Sequence, residues 1–358
     1  MKIALSGYYG FDNAGDEALL LAITSSIKAM APEADFVVFS GNPSRTSASH
    51  GLPAVYHKNP WQVYRQLHSC DLLISGGGSI FQDITSAQSL WYYIGVVALA
   101  KLLGKPVMFY AQGVGPINLP LSKLLMRLVA NRVNMISVRD HESANLLKQL
   151  GVANPPVLVT ADPVFALQPD EDDQKRVAGI LPDAPCIGVS VRHWAALEGY
   201  QAALVPVLDG LAEQGYRIIF LPMSWPEDVP ESRRIMSLMQ CPALLLDRSF
   251  NSGEMLALIS RLEMMISMRL HALIFAATQG IPFAGISYDP KVESFLGQFA
   301  LSPLPLDSAG MAAQIALLLE NCELQQVVMR TAAQLHDRAQ ENAQMALALI
   351  SPQKERVL

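Results

Sequence analysis

The feature that most constrains the fold of this chain is an alternation of short apolar runs with longer segments of helical periodicity. Repetition of strand, helix and strand predicts a parallel sheet that carries helices on both of its faces. In the N-terminal half, the predicted strands are 2–7, 35–41, 71–77, 106–113, 135–140 and 157–162.

A break in composition divides the chain into two such series. Residues 167–185 are rich in acidic residues and proline, which predicts a linker. The strands predicted after the linker are 186–192, 216–223, 243–247, 264–268 and 282–287. We therefore predict an α/β protein of two doubly wound, Rossmann-like domains with an interdomain cleft, because such folds bind ligands at the carboxyl ends of their strands. The predicted domains are 1–168 and 169–322, and the last segment, 323–358, is expected to form a helix that packs back on the N-terminal domain.

Composition limits the class of protein. Hydrophobic residues make up 51% of the chain, and the mean hydropathy is +0.25, which favours contact with a subunit partner in a homo-oligomer or with the inner membrane face. The net charge of -6 argues against a nucleic-acid partner.

The most apolar stretch, 90–104, is interrupted by Lys101 and is shorter than the roughly 20 residues of a spanning helix. With four scattered cysteines, typical of a reducing compartment, the chain is expected to be cytoplasmic and at most peripheral at the membrane.

Three glycine-bearing loops follow predicted strands of the N-terminal half. The first, "GYYGFDNAGDEALL" (7–20), is neither G-x-G-x-x-G nor a Walker A sequence, and it fits a capped turn or a ligand loop equally well. The others are "ISGGGSIFQD" (74–83), in which Gln82 and Asp83 are candidate hydroxyl binders, and "AQGVGP" (111–116). Because three consecutive glycines permit close approach of the backbone, we expect a ligand there. Three glycine-bearing strand ends in one sheet predict a single substrate surface.

Cationic side chains follow other predicted strands. Arg139 ends the strand in "ISVRDHES", where it could bind a ligand or form a surface ion pair with Asp140 or Glu142. Arg192 and His193 end the first strand after the linker, which is the expected cleft face of the C-terminal domain.

The stretch "SMRLHALIFAATQGIPFAGISYDPK" (267–291) has the strongest signal for chemistry. Arg269 and His271 lie between a predicted strand and the start of a predicted helix, where an anion is favoured. Lys291 follows the next predicted strand, so it is expected to face the same pocket. An arginine beside a histidine at a cleft favours acid–base catalysis over a structural histidine.

Together and in this order, these motifs resemble the polysaccharide pyruvyltransferase family, in particular its bacterial CsaB-type members. The resemblance covers essentially the whole chain. It rests on "GYYGFDNAGDEA", "GGGSIFQD", "AQGVGP", "SVRD", "SVR", "MRLHALIFA" and "YDPK". Ala111 stands where the family pattern "GQGVGP" has its first glycine, which is a slight departure.

The resemblance implies a fold similar to the GT-B glycosyltransferases and transfer of a pyruvyl group from phosphoenolpyruvate to two sugar hydroxyls, which forms a cyclic ketal. CsaB-type enzymes act on a lipid-linked precursor that contains N-acetylmannosamine, part of the secondary cell wall polymer to which S-layer proteins bind. The family recognises phosphoenolpyruvate through an Arg-Leu-His element, here Arg269, Leu270 and His271, with an upstream arginine. We place that arginine at Arg139 first and at Arg192 second.

On this basis His271 is expected to act as the general acid and base, while Arg269, Arg139 and Lys291 stabilise the departing phosphate. The acceptor side is expected at Asn13, Asp16, Gly77, Gly78, Gln82, Asp83 and Gln112. No metal or cofactor is expected, since phosphoenolpyruvate is itself the donor substrate. The alternatives are a GT-B glycosyltransferase that uses a nucleotide sugar and a non-enzymatic glycan-binding protein.

Overall fold

A computed structural model describes residues 1–350 of this chain except positions 12, 85, 196 and 198. The chain forms two compact units. The first comprises residues 1–11, 16–166 and 335 onward, and the second comprises the short segment 13–15 together with 167–334. Each unit has a parallel sheet of its own, so the predicted fold class of two doubly wound α/β domains is confirmed.

The first unit is built on a seven-stranded parallel sheet of order β3-β2-β1-β4-β5-β6-β7. Its strands are β1 (Lys2–Tyr9), β2 (Asp35–Ser40), β3 (Ala54–Tyr56), β4 (Leu72–Gly76), β5 (Val107–Gln112), β6 (Met135–Val138) and β7 (Val157–Val159). The helices in this part of the chain are α1 (Ala14–Met30), α2 (Pro43–His50), α3 (Pro60–Ser69), α4 (Ala87–Leu102), α5 (Pro120–Ala130), α6 (His141–Gln149) and a 3-10 helix (Pro163–Ala166).

Two apolar cores cover the two faces of this sheet. Ile3 and Leu5 lie in one core while Ala4 lies in the other, because successive side chains of a strand point to opposite faces. This is why the central strands are apolar at nearly every position. Ala343 and Ala346, near the end of the chain, belong to the same core as Ile3.

The second unit has a five-stranded parallel sheet of order β10-β9-β8-β11-β12. Its strands are β8 (Cys186–Ser190), β9 (Arg217–Phe220), β10 (Ala243–Leu245), β11 (Met264–Ser267) and β12 (Phe283–Gly285). The helices that follow the 3-10 helix are α7 (Glu171–Arg176), α8 (Tyr200–Glu213), α9 (Val229–Leu238), α10 (Ser252–Ile259), α11 (Leu270–Thr278), α12 (Pro290–Gln298), α13 (Ser308–Glu320) and α14 (Cys322–Ala348).

Every strand predicted from the sequence is present, and β3 is an additional strand. The helix α7 lies within residues 167–185, which the composition predicts as a linker. The helix α14 begins in the second unit, and from Leu335 it belongs to the first. The last eight positions of the predicted segment 323–358 lie outside the described residues. Within the described part of the chain, no helix is both long and apolar enough to span a bilayer.

Candidate active site

In the second unit, the predicted cationic segments all follow the carboxyl ends of neighbouring strands of one sheet. Its neighbouring strands β8, β11 and β12 are in register, with Ser190 opposite Ser267 and Ser267 opposite Gly285. Arg192 and Arg269 therefore each lie two residues beyond paired positions, at the carboxyl ends of adjacent strands. Lys291 follows β12 in the first turn of α12. Parallel strands expose such ends on the same side of a sheet, where α/β proteins bind ligands.

Arg269 is held by a buried carboxylate, Asp228, which no sequence motif indicated. Its Nε donates to Oδ2 of Asp228 at 2.9 Å, and its Nη2 donates to the other oxygen of the same carboxylate. Asp228 is only 1% exposed and also accepts the backbone N–H of Ser224 at 3.0 Å. The Asp228 carboxylate thus binds the side of the guanidinium that carries Nε and one hydrogen of Nη2. The end that carries Nη1 and the other hydrogen of Nη2 is the one that can face an anion.

His271 lies in the first turn of α11 and packs directly against Gly15. A Cβ built on Gly15 would lie 2.0 Å from Nδ1 of His271, a distance that no side chain tolerates. The segment that carries Gly15 is fixed within the second unit, since the N–H of Ala14 donates to the carbonyl of Met223 at 3.0 Å and Ser252 donates to the carbonyl of Ala14. The glycine of the N-terminal motif therefore makes room for the imidazole.

Arg192 is enclosed by aromatic rings. Its guanidinium carbon lies 5.0 Å from the ring centroid of Trp194 and 5.3 Å from that of Tyr288, and its Nη1 donates to the Tyr288 hydroxyl at 3.4 Å. The Nε atom is buried, and no residue in the described part of the chain accepts its hydrogen bond. A buried donor of a charged group without an acceptor is costly, which favours a ligand in contact with this arginine.

Lys291 meets the same tyrosine. Its Nζ lies 5.6 Å from the ring centroid of Tyr288 and 3.2 Å from Oδ2 of Asp289. Asp289 is the N-cap of α12 and accepts the N–H of Lys291 at 3.0 Å. Tyr288 thus gathers two cations, Arg192 and Lys291, at the carboxyl ends of β8 and β12.

The predicted residues of the first unit also lie at strand ends that are adjacent in the sheet, namely those of β1, β4, β5 and β6. The triple glycine after β4, however, has a structural reason. A Cβ on Gly77 would lie 2.9 Å from Leu19, and one on Gly78 would lie 2.9 Å from Oδ1 of Asp16, so α1 approaches the loop closely. Both glycines have positive φ angles, of 71° and 69°, which favour glycine by themselves.

Other predicted acceptor residues are engaged by the backbone. Gln112 is fully buried and donates to the carbonyls of Gly77 and Gly78, at 3.3 and 2.7 Å. Asp83 accepts the N–H groups of Asn118 and Leu119, each at 2.8 Å, so it caps the approach to α5. These contacts hold the loops in place. Among the predicted acceptor side chains, Asn13 belongs to the second unit.

Arg139 is buried instead of lying at the surface, and it pairs with both Asp140 and Asp162. Its side chain is buried, with Nη1 donating to Asp162 at 2.8 Å and Nη2 donating to Ser79 at 3.0 Å, while Asp140 lies 3.6 Å from Nε. Burial lowers the pKa of this guanidinium, but Asp162 and Asp140 outweigh burial and raise the pKa. The ion pair with Asp162 spans 23 residues of sequence, so no local pattern could have indicated it.

A cluster of aromatic rings near the ends of β1 and β3 was also not predicted. The rings of Tyr8 and Phe11 stack with centroids 4.3 Å apart, and His57 lies 5.5 Å from Phe11 and 5.2 Å from Tyr92. Burial and the neighbouring Lys58 lower the pKa of His57, so its imidazole is neutral at pH 7. Tyr8 is partly open to solvent. Aromatic faces of this kind offer flat apolar surfaces to a sugar ring.

The described residues contain no group of three or more His, Cys, Asp or Glu side chains that could hold a metal ion. The residue types brought together in the second unit are instead arginine, lysine and histidine, which suit an anionic ligand.

Comparison with known proteins gives the following relationships. The family model of the polysaccharide pyruvyl transferases matches residues 13–290, so its match ends one position before Lys291. The amylovoran biosynthesis protein AmsJ of Erwinia amylovora is 22% identical over 406 aligned positions, which cover 93% of this chain and 96% of AmsJ.

Solved structures with the same fold include a UDP-GlcNAc 2-epimerase from Methanocaldococcus jannaschii, with a TM-score of 0.68 and 10% identity over 97% of this chain and 99% of that one. HepE of Anabaena in complex with UDP-glucose has a TM-score of 0.62 and 15% identity over 97% of this chain and 98% of HepE. At such identities the likeness concerns the fold, and it agrees with the expected GT-B-like architecture.

Proposed function

This chain belongs to the polysaccharide pyruvyl transferase family, and on that premise we propose that it transfers a pyruvyl group from phosphoenolpyruvate to two hydroxyls of a saccharide acceptor, forming a cyclic ketal and releasing phosphate. Following the resemblance to the CsaB-type members, the proposed acceptor is a lipid-linked cell wall glycan precursor that contains N-acetylmannosamine. Transferase chemistry itself follows from the family. The donor, the ketal and the acceptor are the parts proposed here.

One observation carries the choice of donor. Arg192, Arg269 and Lys291 follow three adjacent strands of a single sheet, and His271 lies two residues from Arg269. Phosphoenolpyruvate has a carboxylate and a phosphate, so its binding site needs several fixed cations on the same side of the sheet. Of the two upstream arginines, we favour Arg192, because its buried Nε has no acceptor within the described chain while the donors of Arg139 contact Asp162 and Ser79.

The proposed reaction balances in atoms and protons. Each of two sugar oxygens forms a bond to C2 of phosphoenolpyruvate, and the bond from C2 to the bridging oxygen breaks, so that phosphate leaves with that oxygen. One proton is added to the methylene carbon and two protons leave the hydroxyls, which leaves one proton for the phosphate. We propose that His271 transfers these protons and that Arg269, with Lys291, stabilises the charge that develops on the phosphate.

We propose that the first unit binds the acceptor. Its candidate surface combines Asp16 and Gln82 with the open face of Tyr8. A sugar ring can pack on an aromatic face while its hydroxyls donate to carboxylate and amide oxygens. The roles of Gln112 and Asp83 would then be indirect, since their side chains fix the loops through the backbone.

The test combines binding with turnover. Thermal unfolding of the purified full-length chain is measured with phosphoenolpyruvate, UDP-sugars and GDP-sugars, and phosphate release is then measured with an N-acetylmannosaminyl acceptor. Stabilisation by phosphoenolpyruvate, and phosphate release that requires both substrates, are the expected results. His271→Gln should retain the stabilisation and lose about 100-fold or more in turnover. His68→Gln, on the exposed face of α3, serves as the matched control.

Stabilisation by a nucleotide sugar with none by phosphoenolpyruvate would replace this proposal with glycosyl transfer. A His271→Gln protein that turns over at the rate of the original chain would remove the histidine from the mechanism. Glycan binding without phosphate release, unaffected by changes at Arg269, would favour a non-enzymatic protein.

A further inference from the structure

One region of the first unit has an unusual charge distribution. Between Asp83 and Asp140 the sequence contains no acidic residue. The cations in this interval are Lys101, Lys105, Lys123, Arg127, Arg132 and Arg139. Because the whole chain carries -6, the interval contrasts with a strongly acidic remainder. It therefore provides a cationic region on a protein whose overall charge would repel anions.

The helix α5 divides its exposed half between apolar and cationic side chains. Ser122, Met126 and Ala130 face the core, four residues apart. On the solvent side, Leu121, Leu124 and Leu128 are 50%, 51% and 43% exposed. Successive residues are rotated by about 100° on a helix, so these leucines form one stripe, and the exposed Lys123 and Arg127 form a second stripe beside it.

The apolar stripe continues beyond α5. Leu119, 43% exposed, immediately precedes the helix. The Asp83 carboxylate ties the backbone of Leu119 to the loop that carries Ile84, a residue 63% exposed. Trp91 of α4 is also exposed, and its Nε1 donates to Ser122 of α5 at 3.1 Å. Six large apolar side chains thus project from one continuous stretch of surface, which is uncommon on a protein that has no partner there.

Apart from Arg139, the cations of the interval between Asp83 and Asp140 have no carboxylate partners among the described residues. None of Lys101, Lys105, Lys123, Arg127 and Arg132 forms an ion pair with a residue that the structure describes. Lys101 donates instead to the amide oxygen of Asn134, and Arg132 donates to the carbonyl of Leu128. Their charge is therefore available to an external anion.

We infer that this surface, formed by Leu119, Leu121, Leu124 and Leu128 with Lys123, Arg127 and Arg132, binds the anionic headgroup region of a lipid bilayer. A helix that lies in the plane of a membrane buries an apolar stripe among the acyl chains and places its cations at the lipid phosphates. A second copy of this chain is a poorer occupant, because a twofold contact would bring the same unpaired cations together. The inference goes beyond the proposed reaction and does not depend on it.

Vesicle co-sedimentation of the full-length chain tests the inference. Phosphatidylglycerol mixed with phosphatidylcholine is compared with phosphatidylcholine alone, at low and at high salt. We expect binding to the anionic vesicles that weakens as salt rises, and little binding to the neutral ones. Equal binding to both compositions, or binding to neither, would overturn the inference.

Two sets of variants separate the apolar and the electrostatic contributions. The triple change Leu121→Gln, Leu124→Gln and Leu128→Gln should weaken binding by at least about tenfold. Changing Lys123, Arg127 and Arg132 to glutamine should weaken it by about a hundredfold. The matched controls use residues of similar exposure elsewhere. They are Leu238, Leu244 and Leu317 for the leucines, and Lys28, Arg65 and Arg330 for the cations, each changed to glutamine.

Two further measurements keep the result specific. The temperature of thermal unfolding should be the same in the α5 variants as in the original chain, which shows that they are folded. The oligomeric state is measured by light scattering. If the α5 leucine variants bind vesicles normally but change the oligomeric state, the surface is a contact between copies and the inference is wrong.

Discussion

At the scale of single residues, the site in the second unit depends on one absent side chain and one buried charge. Gly15 leaves the space that the imidazole of His271 occupies. Asp228 binds the Nε side of the Arg269 guanidinium and so leaves only its Nη1–Nη2 end for a ligand. Gly15 is far in sequence from His271, and Asp228 is far from Arg269. The candidate catalytic groups are therefore positioned by tertiary structure.

We predict that Gly15→Ala displaces the imidazole, because the new Cβ would lie 2.0 Å from its Nδ1. A displacement of about 1 Å at a catalytic group can cost on the order of 100-fold in rate, so turnover should fall by about that factor. The matched control is Gly210→Ala in α8, where a Cβ meets nothing within 4 Å. The control should stabilise the protein by up to about 1 kcal/mol, since alanine favours a helix interior. Unchanged turnover in Gly15→Ala would contradict the role given to this contact.

Asp228→Asn tests the buried ion pair. The amide keeps the volume but can accept only one of the two hydrogen bonds from Arg269, so the guanidinium should turn. We expect the KM for phosphoenolpyruvate to rise by about tenfold or more, with thermal unfolding at lower temperature, since breaking a buried pair costs about 3–5 kcal/mol. A lower unfolding temperature with an unaltered KM would make Asp228 purely structural.

At the scale of elements, the loop from β12 to α12 carries a tyrosine that contacts cations from two different strand ends. Tyr288 provides a ring near both Arg192 and Lys291, and a hydroxyl that accepts from Arg192. The ring holds the guanidinium without neutralising it, which a carboxylate in that place would do. The loop can therefore position a cation while leaving its full charge for an anionic donor.

The variants Tyr288→Leu and Tyr288→Phe should differ accordingly. Leucine removes the ring, and cation–π contacts of about 0.5–2 kcal/mol correspond to a rise of about 2- to 30-fold in the KM for phosphoenolpyruvate. Phenylalanine retains the ring and loses only the 3.4 Å hydrogen bond, so its KM should stay within about threefold of the original. Equal effects of both changes would assign the role to the hydroxyl.

The elements also show what could be predicted from the sequence. Strands with buried faces on both sides have continuous apolar runs, so β1, β4, β8 and β11 were predictable, and their order made the doubly wound fold predictable. Because the carboxyl ends of parallel strands lie on the same side of a sheet, the residues that follow adjacent strands could also be proposed as neighbours. The partners Asp228, Asp162 and Tyr288 could not, because such pairings depend on which loops meet in space and have no periodicity.

The glycine loop after β4 shows the limit of a local argument. Three consecutive glycines predicted close approach by something, and the structure shows that α1 makes that approach, through Leu19 and Asp16. The sequence could not distinguish a helix from a ligand, because either one excludes a Cβ. Ligand binding at this loop remains a prediction.

At the scale of the whole molecule, neither unit is a continuous piece of chain. The first unit takes its last helical segment from residues after 334, and the second takes residues 13–15 from the N-terminal region. From the sequence, the end of the chain is expected to pack back on the N-terminal domain, whereas no pattern in the sequence indicates that residues 13–15 belong to the second unit. The first unit is complete only when the end of the chain has packed. Asn342 is buried there and accepts a hydrogen bond from Thr160 at 2.9 Å.

This organisation predicts that the stability of the first unit depends on the end of α14. Ala343 is fully buried in the same core as Ile3 and Leu5, so Ala343→Gln must overpack that core or bury an unpaired amide. The expected loss is about 1–3 kcal/mol, seen as a lower temperature of thermal unfolding. Ala348→Gln, in the same helix at an exposed position, should change the free energy of unfolding by no more than about 0.5 kcal/mol. If both variants unfold at the same temperature, the C-terminal residues are not part of the folded first unit in solution.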